Sequence, residues 1–295
     1  MSSEAIPRVS RSALSETAVP RPHRRRIAHS SISYIILGLF SAVVGYPVLW
    51  MLFQSFKSQP EMYQNVWGPP RDLRIQNYID GWNLSHIGRY SINSLIVAFA
   101  TVLGVLTVAS LAAYAFSKMR FAGSRLIFGA IIFSLLLPVP IIPLYAVVSG
   151  LHLTDTYFAV IFPYISGALP LSIFLLKAFF ESLPSQIEDA ARIDGCSDLG
   201  ILWHVVLPLS KPGLATVAIF TFINAWNEFF LALIFIRSRE IRTIPVGLQV
   251  FFQENATKWP ALFATLSMAT VPIIVVYVLM QQQFIEGLTA GAVKG

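Results

Sequence analysis

An all-α bundle of about six membrane-spanning helices is the fold class this sequence predicts, and three observations carry the prediction. Of 295 residues, 55% are hydrophobic and only 12% charged, whereas a soluble domain carries about 25% Asp, Glu, Lys and Arg. The charges cluster and leave long uncharged stretches, each near the ~20 apolar residues that a helix needs to cross the hydrocarbon core. Lys and Arg are also placed unevenly between those stretches, as orientation in a membrane requires.

Read in order, the apolar stretches fall at about 31–56, 91–116, 126–148, 157–180, 212–236 and 261–281. The first contains YIILGLFSAVVGYPVLWMLF with Pro47 inside it. It is longer than the core of a secretory signal, and no A-x-A cleavage pattern follows, so it is expected to remain as a span. Residues 1–30, rich in Ser, Arg and Pro, are expected to be a disordered tail. In the third stretch Pro138, Pro140 and Pro143 must interrupt the hydrogen-bond ladder, as a moving hinge or as a fixed kink.

An even number of spans puts both termini on one side. Arg8, Arg11, Arg21, Arg24, Arg25 and Arg26 precede the first span, and Lys118, Arg120 and Arg125 follow the second. Positive residues in short flanking segments stay in the cytoplasm, so both termini are expected there. The formal net charge of +6 then reads as topology and attraction to anionic membrane lipid, not as nucleic-acid binding.

Chemistry of the usual catalytic kinds is not signalled. The five histidines have no metal-ligand spacing, and the single cysteine, Cys196, allows no internal disulfide. Neither H-E-x-x-H nor G-x-S-x-G occurs. A G-x-x-x-x-G-K-[ST] phosphate loop is missing too, so this chain is not expected to hold ATP itself.

The segment between the fourth and fifth spans, about 181–211, is long for a connection between packed helices. Its residues spell two short helices. Ser185 with Glu188 three residues later makes a capping box, Gly195 suits a left-handed helix end, and Ser197 before Asp198 can cap the second helix. Pro208 and Pro212 limit that helix and set the return into the membrane. Ala190 and Ala191 permit close approach of another chain, and the carboxylates of Glu188, Asp189 and Asp194 offer partners to basic groups on it. An amphipathic loop lying on the bilayer is the other reading, but anionic lipids attract basic helices rather than acidic ones.

Glu188-Asp189-Ala190-Ala191-Arg192-Ile193-Asp194-Gly195, followed by Leu207-Pro208, resembles the EAA loop of ABC importer permeases. The family's first acidic position falls here on Asp189, one methylene shorter than the usual Glu. Trp226-Asn227-Glu228 and the C-terminal run Gly287-Leu288-Thr289-Ala290-Gly291-Ala292-Val293-Lys294-Gly295 are similar to the smaller membrane subunit of carbohydrate importers of the maltose-transporter type. The resemblance covers about residues 30–295 and implies a type I ABC importer permease fold in the inner membrane of a bacterium. It further implies a heterodimer with a second permease, two copies of a cytoplasmic ATPase that carry ATP and Mg, and a periplasmic or lipid-anchored sugar-binding protein. Coupling to the ATPase would rest on Glu188, Asp189, Ala190, Ala191, Asp194, Gly195 and Pro208. The tail at 284–295 would reach the interface between the ATPase subunits through Gly287, Thr289, Gly291, Lys294 and Gly295.

Glu228 is an ionisable residue inside an expected span, and such residues face a partner or an aqueous path. Asn224 and Asn227 beside it can bond sugar hydroxyls and Trp226 can stack on a sugar ring, so this group lines a pathway or forms an interhelical hydrogen-bond cluster. A permease for a non-sugar solute is the closest alternative. A secondary transporter would show matching charged or broken helices in both halves, and Glu228 has no counterpart in the first half.

Overall fold

The computed structural model describes residues 24–253 and 258–292, and side chains at 33–252 and 258–282. No strand occurs among the described residues. The chain divides into two units, Met1–Trp50 and Met51–Gly295, each taken by itself below.

The first unit holds most of helix α1 (Arg24–Phe56), which includes residues 24–30 of the stretch expected to be tail, and the last turns of that helix, from Met51, belong to the second unit. Once an apolar helix is nucleated, each added residue gains a hydrogen bond, so the arginines extend it outward. From Tyr34 to Leu49 its large side chains are exposed. A spanning helix with this surface has lipid or another chain as its natural neighbour.

The second unit continues with α2 (Gln59–Gln64) and α3 (Gln76–Ser85). Lys57 is wholly buried beneath them and donates its ammonium to the Asn65 carbonyl at 2.5 Å. Gln54 donates to the Val66 carbonyl at 2.7 Å, so one side chain from the last turn of α1 and one just after it hold the loop around residues 65 and 66. Burial pushes the Lys57 ammonium below its usual range. Helix α4 (Ile87–Lys118) follows, then α5 (Ser124–Phe133), α6 (Ile141–Gly150) and α7 (Phe158–Ser182). The third expected span is therefore two helices, and they meet at a bend of 110° around Leu137–Pro140.

Contacts show that this bent pair still runs from one end of the bundle to the other. Lys177, near the end of α7, lies 5.0 Å over the Phe128 ring of α5. Tyr145 of α6 stacks on Phe235 and accepts a hydrogen bond from Arg237, close to the start of α7.

Beyond α7 come α8 (Ser185–Ile193), α9 (Asp198–Ile201) and α10 (Leu207–Leu209), the last two joined by a π-helical turn at Leu202–Val206. Pro208 has no N–H to give the carbonyl four residues back, and the wider turn just before it accommodates that loss. Helix α11 (Lys211–Asn227) leaves α9–α10 at 81° and stops at Glu228. The fifth expected span is thus broken too, and it resumes as α12 (Phe230–Phe235). Two short helices, α13 (Ile244–Gly247) and α14 (Val250–Gln253), precede α15 (Trp259–Ala292). That helix continues through Gly287, Thr289 and Gly291 without a break, while Lys294 and Gly295 lie outside the described residues.

Among the described residues four continuous helices are long and apolar enough to cross a membrane, and up to six spans result if the bent pairs α5–α6 and α9–α11 each count as one. The core sits where α4, α7 and α11 meet, around Val97, Ala98, Val160, Phe222 and Trp226 at one level and Val105, Leu176, Phe180 and Val217 at another. At the end nearer Asn93 a polar clamp closes the bundle. Asn93 donates to the carbonyls of Glu240 and Arg242, both at 2.8 Å, and accepts from the Tyr157 hydroxyl.

Candidate functional site

At the opposite end, the segment between α7 and α11 projects as a discrete hairpin of short helices. Its first helix, α8, starts after Pro184, and no side chain caps it. The expected capping box is absent because Glu188 is turned inward. Glu188 is 4% exposed, and its carboxylate pairs with the ammonium of Lys118, the last residue of α4, at 2.5 Å. A buried carboxylate without such a partner would be costly, so the ion pair fixes which face of α8 meets the bundle.

The other end of α8 is locked by its backbone. Gly195 has φ +84°, its N–H bonds the Arg192 carbonyl, and the Cys196 N–H reaches back to the Ala191 carbonyl, both at 3.0 Å. These two bonds make the Schellman arrangement, which needs a left-handed residue at that position. Ser197 accepts from the Gly200 N–H at 3.3 Å and starts α9 as expected. Arg192 spans the two helices, 3.5 Å from Asp189 and 3.4 Å from Asp198, and the Asp198 bond pushes its guanidinium further above an already high value.

With Glu188 and Ala191 directed at the bundle, the outward face carries Asp189, Ala190 and Asp194 together with Ile187, Ile193, Leu199 and Trp203. Ile193 is 87% exposed, and Cys196 is exposed as well. The apolar members of this face and the inward role of Glu188 escape a motif-based reading. The available signal is the spacing of Ile187 and Ile193 on either side of the alanines, with Lys118 as the first cation after an apolar span.

The second group of expected residues lies at the break after α11. Glu228 has extended backbone, φ −69° and ψ 122°. One carboxylate oxygen accepts from the Leu231 N–H at 2.9 Å, and the other accepts from the Ala232 N–H at 3.2 Å and from the Tyr164 hydroxyl at 2.5 Å. Glu228 therefore caps α12 and ties it to α7, with its charge at the positive end of a helix. Trp226 is 2% exposed and stacked on Phe222, so its face is already covered by protein. Asn224 and Asn227 are exposed, and each amide group donates to the carbonyl one turn back, at 2.8 and 2.9 Å.

The hairpin thus sits at one end of the bundle with an acidic and apolar outer face. Residues 105–288 match the family described as binding-protein-dependent transport system inner membrane component. The chain belongs to this family. It is 34% identical over 277 residues to the probable ABC transporter permease protein YurM of Bacillus subtilis, covering 93% of this chain and 92% of that one. It is also 34% identical over 270 residues to the trehalose/maltose transport system permease protein MalG of Thermococcus litoralis, covering 88% and 96%. Among solved structures, a chain of a bacterial ABC transporter involved in the import of the acidic polysaccharide alginate superposes with a TM-score of 0.76 at 27% identity, over 90% of this chain and 100% of that chain. The type I permease fold and the multi-pass inner-membrane character follow from this membership. These relatives are named as transport components, and the permease family does the same work here without being an enzyme.

Proposed function

We propose that this chain is one permease subunit of an ATP-driven importer for a sugar or sugar derivative, forming half of the translocation path and taking its power stroke through the α8–α9 hairpin. The observation that carries the coupling role is the buried Lys118–Glu188 pair, which joins that hairpin to α4 and through it to the bundle core. Sugar as cargo is supported by relatives named for trehalose and maltose and by the likeness to an alginate importer.

In this reading the ATPase closes on ATP and moves the outer face of α8 and α9. The hairpin is stiff, since the Schellman end and the Arg192 bridge leave it little freedom, so the displacement passes to α4 and reorients the packed helices. No bond of the cargo is made or broken. Exposed Asn224 and Asn227 on α11 are the amides offered to cargo hydroxyls, and Glu228 serves the protein by holding the break. The second permease, two ATPase copies and a sugar-binding protein complete the assembly, and the Lys and Arg distribution supports both termini being cytoplasmic.

Expression with the neighbouring permease, ATPase and binding protein, followed by uptake of labelled oligosaccharides into proteoliposomes, tests the proposal. ATP-dependent uptake of a sugar that needs all four components is expected. Uptake driven by an ion gradient without ATPase would sink it, and uptake of amino acids but no sugar would remove the cargo assignment.

A further inference from the structure

A cavity of about 780 Å³ opens between the end of α4, the start of α5 and Lys177 of α7, at the same end of the bundle as the α8–α9 hairpin. Its lining is of two kinds. The rings of Phe116, Phe121 and Phe128 line it as one aromatic cluster, with Phe116 5.8 Å from Phe121 and 5.5 Å from Phe128. The rim carries Arg120, Arg125 and Lys177, and no acidic residue lines the cavity. Lys177 is paired with Glu181 at 2.6 Å, whereas Arg120 and Arg125 are exposed and have no ion pair among the described residues. Gly123, with φ +82°, turns the chain into α5, and no side chain caps the end of that helix at the mouth of the cavity.

We propose that this cavity binds the phosphate headgroup of an anionic phospholipid. Two guanidinium groups and an uncapped helix end supply the donors and the positive field that a phosphate diester needs. A soluble phosphate would have no use for three phenylalanines, while the glycerol and first acyl carbons of a lipid cover them. Exposed Leu126, next along α5, continues the apolar surface in the direction the acyl chains take. The level is right for a headgroup, since α4 ends at Lys118 and α5 begins at Ser124, where the chain leaves and re-enters the apolar zone. Bound there, a lipid bridges α4, α5 and α7 beside the docking hairpin. The inference needs only the multi-pass membrane character of the chain and stands apart from its cargo.

The test uses the assembled transporter in nanodiscs of phosphatidylcholine doped with phosphatidylglycerol. After detergent exchange, native mass spectrometry is expected to find phosphatidylglycerol retained on the wild type. Retention should fall at least fivefold in the Arg120→Gln, Arg125→Gln double variant and stay unchanged in an Arg71→Gln, Arg239→Gln control that removes the same charge elsewhere. A photoreactive phosphatidylglycerol analogue should label the wild-type peptide containing Phe121 and Leu126, which keeps the proposal open to refutation if the double variant does not insert. Millimolar inorganic phosphate should not displace the lipid. Equal retention of phosphatidylcholine, loss to free phosphate, or unchanged retention in the double variant would each overturn it. So would a double variant that loses the ATPase while keeping its lipid, since the rim would then be a protein contact.

Discussion

Lys118 of α4 and Glu188 of α8 meet in an ion pair of 2.5 Å whose side chains are 12% and 5% exposed. The two residues stand seventy positions apart in sequence (118 and 188), and their pairing joins the α8–α9 hairpin to the end of α4. Removing one partner of a buried pair costs about 3–5 kcal/mol, because the other charge is left without compensation.

Glu188→Ala and Lys118→Met are therefore each expected to cut uptake by tenfold or more while the chain still inserts. The Lys118→Glu, Glu188→Lys exchange should recover a large part of the activity, because the pair is internal and needs no outside partner. An exchange variant as inactive as the single ones, with ATPase lost from the complex, would place Glu188 in direct contact with the ATPase instead.

Gly195 provides a second, independent check on the hairpin. A side chain forced into the left-handed region costs about 1–2 kcal/mol, a factor of about 5–30 in population. Gly195→Leu should reduce ATPase copurification and uptake by amounts in that range, and Gly195→Asn should be milder, since Asn tolerates this conformation. Wild-type uptake by the Leu variant would count against a docking role for this end of α8.

Much of this architecture is legible in the residues themselves. The spans around α1, α4, α7 and α15 follow from uninterrupted apolar runs, and Gly195 and Ser197 act as their local chemistry predicts. What is not legible depends on contacts made across the fold. Glu188 has the spacing of a capping box with Ser185, but the desolvated ammonium of Lys118 is a stronger partner than an exposed backbone N–H. Asn227 and Glu228 continue an apolar run, and only Tyr164, sixty-four positions away, together with the N–H groups of α12 makes a break there favourable.

That break predicts its own mutational signature. Glu228→Ala removes the cap of α12 and leaves the Tyr164 hydroxyl without its acceptor, a loss of about 1–3 kcal/mol. Glu228→Gln keeps one acceptor oxygen and should be intermediate in thermal stability. Tyr164→Phe, made in the Glu228→Ala background, should add little, because the two act on one bond. Additive losses in the double variant would show that the Tyr164–Glu228 bond carries no stability and that the two side chains act separately.

Asp155 gives the pH dependence. It accepts from the backbone N–H groups of Arg237 and Ser238 at 2.9 and 2.8 Å and from the Ser238 hydroxyl, and the Ser238 side chain is the main reason its carboxyl lies below the usual range. A depressed carboxylate contributes stability that is fully present above its unfolded value, near about 4, and is lost as the pH falls through its folded value. Thermal unfolding of the purified chain should therefore differ little between pH 5 and 7 and decline below about 4. Asp155→Asn should unfold at lower temperature than the wild type at pH 7, with the gap narrowing at pH 3. A gap that is constant from pH 7 to pH 3 would remove the carboxylate charge from the explanation.

Cys196 offers a direct reading of orientation and docking at once, because it is the only cysteine in the sequence and lies exposed beside Gly195 on the hairpin. On the proposed orientation, with that end cytoplasmic, a membrane-impermeant maleimide should leave Cys196 unmodified in intact spheroplasts. The same reagent should modify it in inside-out vesicles that contain this chain and its permease partner without ATPase. Adding the ATPase should then slow the modification severalfold, since the face bearing Ala190 and Ile193 would be covered. Modification from outside in intact spheroplasts would reverse the topology. Rates in vesicles that do not change on adding ATPase, under conditions where the complex forms, would move the docking surface away from the α8–α9 hairpin.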